Sequence, residues 1–295
     1  MPKIIQFTHP GPEHSPDQKR GNHKSWNKGK HKRKFLLSKG DFVVNNELKN
    51  GDLIFWGEWE PPSMVDEIAS RPTKFHPKWL HKPYLPKEMP NIGEDNISYQ
   101  NTDPCVFGEN FTYFVCKQFK PKSKSRTSLA KLEAGSMVLF GSTANQNKPN
   151  AFFQLDTVFV VAKYMEYDLS DPHAFALDGK YHDFEFKMGF PKPVDYSIKL
   201  RLYEGATFQN PVHGMYSFSP AKIWNHNNRE GFVRIPLKDM EYITNNLNAA
   251  PKISNVSMDQ VTEFWNKIVG ISRMSGCVEG IRFNYRIKNN TYNKT

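Results

Sequence analysis

Four segments in the first half of the chain are rich in aromatic and β-branched residues, which pack well on the pleated surface of a sheet. The segments are residues 51–59, 111–117, 136–140 and 152–162. Each is of strand length. They predict a β-rich first half, built as a barrel or as a strongly curved sheet.

The second half of the chain mixes strand and helix patterns. Residues 197–204 alternate apolar and polar side chains, as a half-buried strand does. Residues 236–248 repeat apolar side chains at helical spacing, and Ser257 with Gln260 forms a capping box ahead of a second apolar stripe. A closing strand is expected at residues 279–286. The predicted fold class is α+β, with a barrel-like N-terminal half and a mixed α/β C-terminal half.

An acidic stretch at residues 167–183 separates the two halves and marks the expected domain boundary. We expect a basic N-terminal arm at residues 1–40, a β-rich recognition domain at residues 41–166 and an α+β domain at residues 167–295. A proline-rich segment, residues 71–91, is predicted to be a lid or binding loop, because its prolines prevent a regular helix.

Composition and missing motifs exclude several classes of protein. Hydrophobic residues make up 38% of the 295 residues, and no apolar run approaches the roughly 20 residues of a membrane span. The three cysteines, Cys105, Cys116 and Cys277, lack metal-ligand spacing and are expected to be reduced and mostly buried. Walker, dinucleotide-binding, zinc-protease and serine-hydrolase motifs are missing from the sequence. We expect a cytoplasmic protein without a metal or cofactor, and without a membrane partner.

Positive charge is concentrated in two stretches of a chain whose net charge is +10. Residues 19–39 hold nine Lys or Arg and no acid, and residues 117–131 hold six and no acid. Segregated like charges favour a polyanionic partner such as DNA or RNA, and an interleaved indole can stack on a base. The alternative is a solvated arm and loop that only aid solubility. The predicted nucleic-acid-binding residues are Lys19, Arg20, Lys24, Trp26, Lys28, Lys30, Lys32, Arg33, Lys34, Lys122, Lys124 and Arg126.

The stretch GDLIFWGEWEPPS places two carboxylates beside two indoles at the end of a predicted strand. Alternation puts Trp56, Glu58 and Glu60 on one face and Trp59 on the other. An indole can stack on a base and a carboxylate can accept from an amine, so this strand end is a candidate nucleotide pocket. Trp56, Trp59 and His81 would line the pocket, with Glu58 and Glu60 as candidate catalytic acids. A strand end with solvated acids is the alternative.

Glu204 stands at the end of the alternating segment 197–204. It shares a face with Leu200 and Leu202, so the alternation points a carboxylate inward. A buried carboxylate needs a cation or backbone donors, or it lies in a cleft with a raised pKa. Glu204 is therefore either a partner in a structural ion pair or a third candidate catalytic residue.

Three sequences in the first half, GDLIFW, GSMVLFGS and FQLDTVFVVA, resemble uncharacterised domains associated with nucleotide modification and phage defence. They are also similar to the strand openings of PUA-like barrels. This resemblance covers residues 41–162 and implies recognition of a modified or flipped base by aromatic stacking. In the second half, LYEGAT and GMYSFS resemble the opening of ADP-ribosyltransferase-like folds, and Glu204 stands where that family has Arg or His.

These observations predict an intracellular protein that binds nucleic acid and recognises a base or nucleotide, in DNA or RNA modification or in phage defence. Two alternatives stay open. The first is a glycosidic-bond enzyme, either an ADP-ribosyltransferase-like protein or a nucleotide N-glycosidase, with Glu58 or Glu204 as its working carboxylate. The second is a toxin or scaffold component whose basic arm binds an acidic partner protein of a defence or modification system.

Overall fold

The computed structural model contains two large β-sheets, a separate two-stranded hairpin and a long helix near the end of the chain. It describes residues 1–9, 13, 23–27, 33–67, 79–87, 100–171, 195–227, 231–248 and 250–288. Within these ranges, the helices are too short or too polar to cross a bilayer. The strand-rich body confirms the α+β prediction, whereas the barrel-like, PUA-like detail of the first half stays a prediction.

Seven strands form the first sheet. They are β1 (Lys3–Thr8), β7 (Thr112–Tyr113), β10 (Met137–Ala144), β11 (Phe152–Asp168), β12 (Lys199–Gly205), β14 (Ile235–Leu237) and β15 (Lys252–Asn255). Their order is β15–β1–β10–β11–β12–β7, with β14 also paired to β11. Alternate residues of β10 enter different hydrophobic clusters, Met137 and Leu139 in one and Val138 and Phe140 in the other. Both faces of this sheet are therefore buried along β10, whose first four residues are all apolar.

Eight strands form the second sheet. They are β2 (His23–Lys24), β3 (Lys34–Val44), β4 (Glu47–Gly57), β5 (Ser63–Glu67), β6 (Trp79–Pro86), β13 (Ser219–Ile223), β16 (Val278–Phe283) and β17 (Arg286–Lys288). Their order is β16–β13–β4–β3–β6–β5–β2, with β17 paired to β6. Because β16 also pairs with β3, the strands β3, β4, β13 and β16 form a closed circuit of pairings. Asn45 and Asn46 connect β3 to β4 with positive φ angles of 52° and 61°, as a two-residue type I′ turn requires.

One edge of β3 changes its partner along its length. Phe35 and Leu36 pair with β6 in parallel, whereas residues 40–43 pair with β16 in antiparallel orientation. Between these pairings, among the residues that the structure describes, only the chain around Asn284 reaches the edge, where its backbone N–H donates to the carbonyl of Lys39 at 2.9 Å. The neighbouring strands separate at this point, which opens the sheet.

The helix α1 (Met258–Met274) confirms the predicted capping box. The Ser257 hydroxyl accepts from the backbone N–H of Gln260 at 3.3 Å, and the Gln260 side chain accepts from the backbone N–H of Ser257 at 2.8 Å. Phe264 and Trp265 lie on the apolar face of the helix and pack into the same cluster as one face of the first sheet. The local signals therefore identify this helix correctly.

Residues 236–248 do not form the predicted helix. Leu237 ends β14 in the first sheet, and the chain then turns at Asp239 and Tyr242, both with positive φ. The Asn245 side chain accepts from the backbone N–H of Asp239 at 3.0 Å and donates to its carboxylate at 2.6 Å. Asn and Asp side chains that bond nearby groups compete with helix formation, so the helical spacing is a false signal here.

Residues 111–117 form a strand only at β7. The backbone N–H groups of residues 114–116 donate to the Asp103 carboxylate at 3.2, 3.0 and 2.6 Å instead of to a neighbouring strand. Burial raises the pKa of Asp103 to about 7, although these three donors oppose the shift. A buried side chain thus replaces a strand partner and ends the sheet.

Part of the predicted irregular loop at residues 71–91 is the regular strand β6, so that expectation is wrong for residues 79–86. Proline is tolerated there because Pro83 lies between the residues that pair with β3 and those that pair with β17. The remaining residues of the loop, 71–78 and 88–91, lie outside the described ranges.

The expected boundary at residue 166 falls inside β11. The first sheet combines β1, β10 and β11 with β12, β14 and β15, and the second combines β3 and β4 with β13 and β16. Strands from before and after residue 166 therefore pair with each other in both sheets. The three cysteines are free, and Cys105 and Cys277 are buried, as predicted.

Candidate functional site

The predicted pocket at the end of β4 lies in the interior. Trp56 and Trp59 enter opposite hydrophobic clusters, as the alternation predicts. Trp59 is fully buried, and its Nε1 donates to the carbonyl of Pro62 at 2.8 Å. Glu58 and Glu60 are only 3% and 0% exposed, so the alternative of solvated acids is wrong. Buried carboxylates need cations or hydrogen-bond donors close by.

Side chains from both sheets meet in a buried group that we name the acid–arginine cluster. Asp156 comes from β11, while His9 and Arg234 flank β1 and β14 of the same sheet. Arg33 and Glu58 flank β3 and β4 of the second sheet. All five side chains are at most 8% exposed. The cluster therefore joins the two sheets through charged groups as well as apolar ones.

Arg33 lies between the two carboxylates of the cluster. Its Nη1 is 3.5 Å from Glu58 Oε2, and its Nε is 3.7 Å from Asp156 Oδ2. On its other oxygen, Asp156 accepts from Arg234 Nε at 2.9 Å and also contacts Arg234 Nη2. His9 Nδ1 is 3.6 Å from Glu58 Oε2 and contacts Arg33 Nη2. Acids and arginines thus alternate along the cluster, which lowers the cost of burying each charge.

Burial dominates the electrostatics of this cluster. It raises the pKa of Asp156, against the attraction of Arg234 and Arg33. It lowers the pKa of Arg234, against the attraction of Asp156. Both shifts disfavour the charged forms, so the ion pairs offset only part of the desolvation cost. The Arg234 guanidinium also lies 4.8 Å from the centre of the Trp56 ring, a distance that allows a cation–π contact.

A second buried group surrounds Glu60. Lys34 Nζ and Lys24 Nζ are 3.8 and 4.0 Å from Glu60 Oε2, and Lys24 Nζ donates to the Glu60 carbonyl at 3.1 Å. Burial lowers the pKa of Lys34, against the attraction of Glu60 and Glu58. Lys24, Arg33 and Lys34, three of the predicted nucleic-acid contacts, therefore lie inside the protein beside carboxylates.

Trp26 and His81, two further residues of the predicted site, are also buried. Trp26 is 5% exposed, and its Nε1 donates to the carbonyl of Gln100 at 3.1 Å. His81 is fully buried in β6, with its Nδ1 2.8 Å from Ser63 Oγ in β5. In this structure both side chains hold neighbouring segments together.

Glu204 is partly buried, with a side chain that is 18% exposed. Its Oε2 is 3.1 Å from Lys163 Nζ and accepts from Asn110 Nδ2 at 3.2 Å. Lys163 lies opposite Glu204 in the pairing of β11 with β12. These are the contacts that the ion-pair interpretation of Glu204 requires.

The second basic stretch forms an exposed hairpin made of β8 (Phe119–Lys120) and β9 (Ser125–Arg126). We name residues 117–126 the basic hairpin, and the residues after it form a short 3₁₀-helix, Ser128–Lys131, in which Leu129 and Ala130 are buried. Lys122 and Lys124 are exposed, whereas the Arg126 guanidinium donates to the carbonyl of Ala130 at 2.6 Å. The remaining predicted contacts lie outside the described ranges. These are Lys19, Arg20, Lys28, Lys30 and Lys32.

An open groove of about 700 Å³ lies beside β3, where that strand exchanges β6 for β16. Its walls carry two rings, Trp224 and Tyr285, among charged side chains. The sequence patterns missed it because its walls come from segments far apart in the chain. The sequence patterns also missed Asp156 and Arg234. The signal for Asp156 is that it is a lone acid within the apolar run of residues 152–162, which indicates a buried polar contact.

Neither a metal centre nor a relative identifies the function. In the described ranges, no group of three or more His, Cys, Asp or Glu side chains is arranged so that it could hold a metal ion. Comparison with known proteins gives no match among family models, curated proteins or solved structures. The functional conclusion therefore depends on the clusters and surfaces of the chain itself.

Proposed function

We propose that the protein binds nucleic acid, with the basic hairpin as a phosphate-contacting surface. The observation that carries the proposal is the exposure of Lys120, Lys122 and Lys124 at one end of the molecule's surface hairpin. A net charge of +10 favours the approach of a polyanion. A role in DNA or RNA modification or in phage defence stays a prediction from the sequence resemblance.

The lysines of the hairpin are open to a new partner. Within the described ranges, Lys120 and Lys122 take part in no ion pair. Lys124 Nζ is 3.9 Å from Asp195 Oδ1, but the two side chains are 58% and 88% exposed, so water screens the attraction. A phosphate can replace this contact without the desolvation cost of breaking a buried pair.

The backbone at the hairpin tip supports a surface role for Lys124. Its φ of 46° lies in the left-handed region, which glycine or asparagine adopts at lower cost than lysine. Its Nζ lies 4.4 Å from the centre of the Tyr196 ring, and a cation–π contact at an exposed site contributes only about 0.5 to 1 kcal/mol. We attribute the presence of Lys124 to the positive charge that it places at the tip.

The buried cations of the amino-terminal stretch do not enter the proposal. Lys24, Arg33 and Lys34 are at most 3% exposed and lie beside Glu58, Glu60 and Asp156. Moving them to a phosphate would leave buried carboxylates without cations, which costs several kcal/mol for each ion. Their charge supports the fold instead.

Replacing Lys120, Lys122 and Lys124 together with Gln should weaken nucleic-acid binding and flatten its dependence on salt. Each phosphate contact contributes about 0.7 to 0.9 to the slope of log K against log salt concentration. Loss of three contacts should therefore reduce the slope by roughly 2 to 3 units. Fluorescence anisotropy with labelled single-stranded and duplex oligonucleotides, repeated over a KCl series, measures the change.

A matched control replaces Lys49, Lys148 and Lys267 with Gln, because these exposed lysines lie outside the hairpin and carry the same charge. Equal flattening in both triple variants would mean that only net charge matters. An unchanged slope in the hairpin variant would exclude the hairpin as the contact surface. A wild-type protein that binds no oligonucleotide at low salt would refute the proposed function itself.

A further inference from the structure

We propose that the groove beside β3 binds a single nucleotide unit, with the base against Trp224 and Tyr285 and the phosphate near Lys39 and Arg286. The inference rests on the proposed function for the origin of the ligand, since it adds a nucleotide pocket to a nucleic-acid-binding surface. The volume of the groove, its aromatic rings and its charges support nucleotide binding independently of that function.

The groove has the size and position of a ligand site. A volume of about 700 Å³ lies within the usual range for small-molecule pockets, which is about 300 to 1,000 Å³. It occupies the place where β6 and β16 leave the edge of β3, so the opening is part of the strand arrangement and not a gap between loose side chains. Backbone pairing on both sides keeps it open.

The aromatic walls are held in place by their neighbours. Trp224 is 7% exposed, packs into a hydrophobic cluster and donates its backbone N–H to the carbonyl of Asp52 at 2.7 Å. Tyr285 is partly buried, with its ring centre 6.1 Å from that of Trp59. Rings that are already fixed lose little conformational entropy when a flat ligand stacks on them.

The charges of the groove favour an anion. Asp52 Oδ2 is 2.9 Å from His226 Nε2, and Asp66 Oδ2 is 2.5 Å from Lys82 Nζ, so each acid already has a basic neighbour. Lys39 and Arg286 also line the groove, and within the described ranges neither forms an ion pair. Lys39, Lys82 and Arg286 therefore place three cations against the two carboxylates of the groove.

A nucleotide is the ligand class that uses both features. Inorganic phosphate would use the cations but not the rings, and an uncharged sugar would use the rings but not the cations. Asp52 and the Asn284 amide offer acceptors and a donor for the edge of a base or for ribose hydroxyls. The nucleotide can be free, or it can be the end or a flipped base of a strand.

Isothermal titration of the full chain with the four ribonucleoside 5′-monophosphates and with inorganic phosphate tests the proposal. We expect at least one nucleotide to bind, and inorganic phosphate to bind at least about tenfold more weakly. Lys39→Gln and Arg286→Gln should each weaken nucleotide affinity roughly five- to tenfold, and Tyr285→Leu should weaken it further. Lys148→Gln, an exposed lysine outside the groove, should leave affinity unchanged.

Three results would overturn the proposal. These are no heat from any nucleotide at millimolar concentration, phosphate affinity equal to nucleotide affinity, or wild-type affinity in both Lys39→Gln and Arg286→Gln. Tyr285 touches the core, so its variant is checked for folding by circular dichroism. The two charge variants alter exposed side chains and keep the test valid if Tyr285→Leu fails to fold.

A 5′-phosphorylated oligonucleotide distinguishes the two sources of the ligand. Tighter binding than the monophosphate, lost in Arg286→Gln, assigns the groove to a strand, whereas equal or weaker binding assigns it to a free nucleotide. The hairpin triple variant separates this inference from the proposed function. If that variant keeps the wild-type salt slope while the groove variants lose nucleotide affinity, nucleotide binding in the groove is supported and the hairpin is excluded as the phosphate-contacting surface.

Discussion

At the scale of single residues, Glu58 and Glu204 are the same side chain in two different environments. Glu58 is 3% exposed and shares Arg33 and His9 with the rest of the acid–arginine cluster. The partner of Glu204 is Lys163, whose side chain is 70% exposed. Water screens the second pair but not the first, so burial decides how much each carboxylate contributes to stability.

Glu58→Gln should therefore lower the free energy of unfolding much more than Glu204→Gln does. Removing one partner of a buried pair costs about 3 to 5 kcal/mol, whereas an exposed pair contributes less than about 1 kcal/mol. Urea denaturation followed by circular dichroism measures both variants under one condition. A Glu58→Gln protein of wild-type stability that loses oligonucleotide binding would instead support the functional role predicted from the sequence.

At the scale of secondary-structure elements, two glycines show how neighbouring backbone decides what a position tolerates. The register between β10 and β11 shifts at Gly141, and a Cβ there would lie 2.1 Å from the carbonyl oxygen of Gln154. For Gly270 in α1, apart from the backbone of its own helix and its chain neighbours, no atom of the described residues lies within 4 Å of the corresponding position. The first glycine permits a close approach of two strands, and the second serves no packing purpose.

Gly141→Ala and Gly270→Ala should change stability in opposite directions. The first forces backbone apart and should cost about 1 to 3 kcal/mol, like other overpacked core substitutions. The second should add about 0.4 to 1 kcal/mol, because alanine restricts the unfolded chain and favours the helix. Thermal unfolding of both variants against the wild type checks the signs. A stable Gly141→Ala protein would mean that the bulge between β10 and β11 relaxes freely.

At the scale of the whole molecule, strand pairing in the two sheets makes the first and second halves of the chain depend on each other. β12 and β14 both pair with β11, and β13 and β16 complete the circuit with β3 and β4. The acid–arginine cluster adds a second connection, because Arg234 contacts Asp156 across a long sequence separation. In the part of the chain that the structure describes, each half therefore depends on strands of the other half to cover its apolar surface.

Fragments 1–166 and 167–295 should therefore fail to fold when expressed separately. Each would expose the apolar faces and the unpaired strand edges that the other half covers in the full chain. Circular dichroism and one-dimensional NMR, with the full chain as the control, measure folding of each fragment. A cooperative melting transition in either fragment would contradict this expectation and would support the two-domain division predicted from the sequence.

Local patterns were sufficient where the interactions themselves are local. The apolar runs predicted β10 and β11, strict alternation predicted β12, and Ser257 with Gln260 predicted the start of α1. Alternation also separated Trp56 from Trp59 across two faces of a strand. Side-chain direction in a strand and hydrogen bonding in the first helical turn involve only adjacent residues, so a single sequence contains this information.

Charge density and apolar spacing also depend on partners that are distant in the chain. The sequence pattern predicts that Arg33 and Lys34 belong to a surface patch. The fold buries them instead, because other segments of the chain place Glu58, Glu60 and Asp156 beside them. The sequence alone determined the strand-rich class, the helix α1 and the sign of the charge. The tertiary structure alone decided which charges are neutralised inside, which stay on the hairpin, and where β3 opens a groove. Pairing between strands that are distant in the sequence decides which side chains become neighbours, and local sequence patterns do not contain this information.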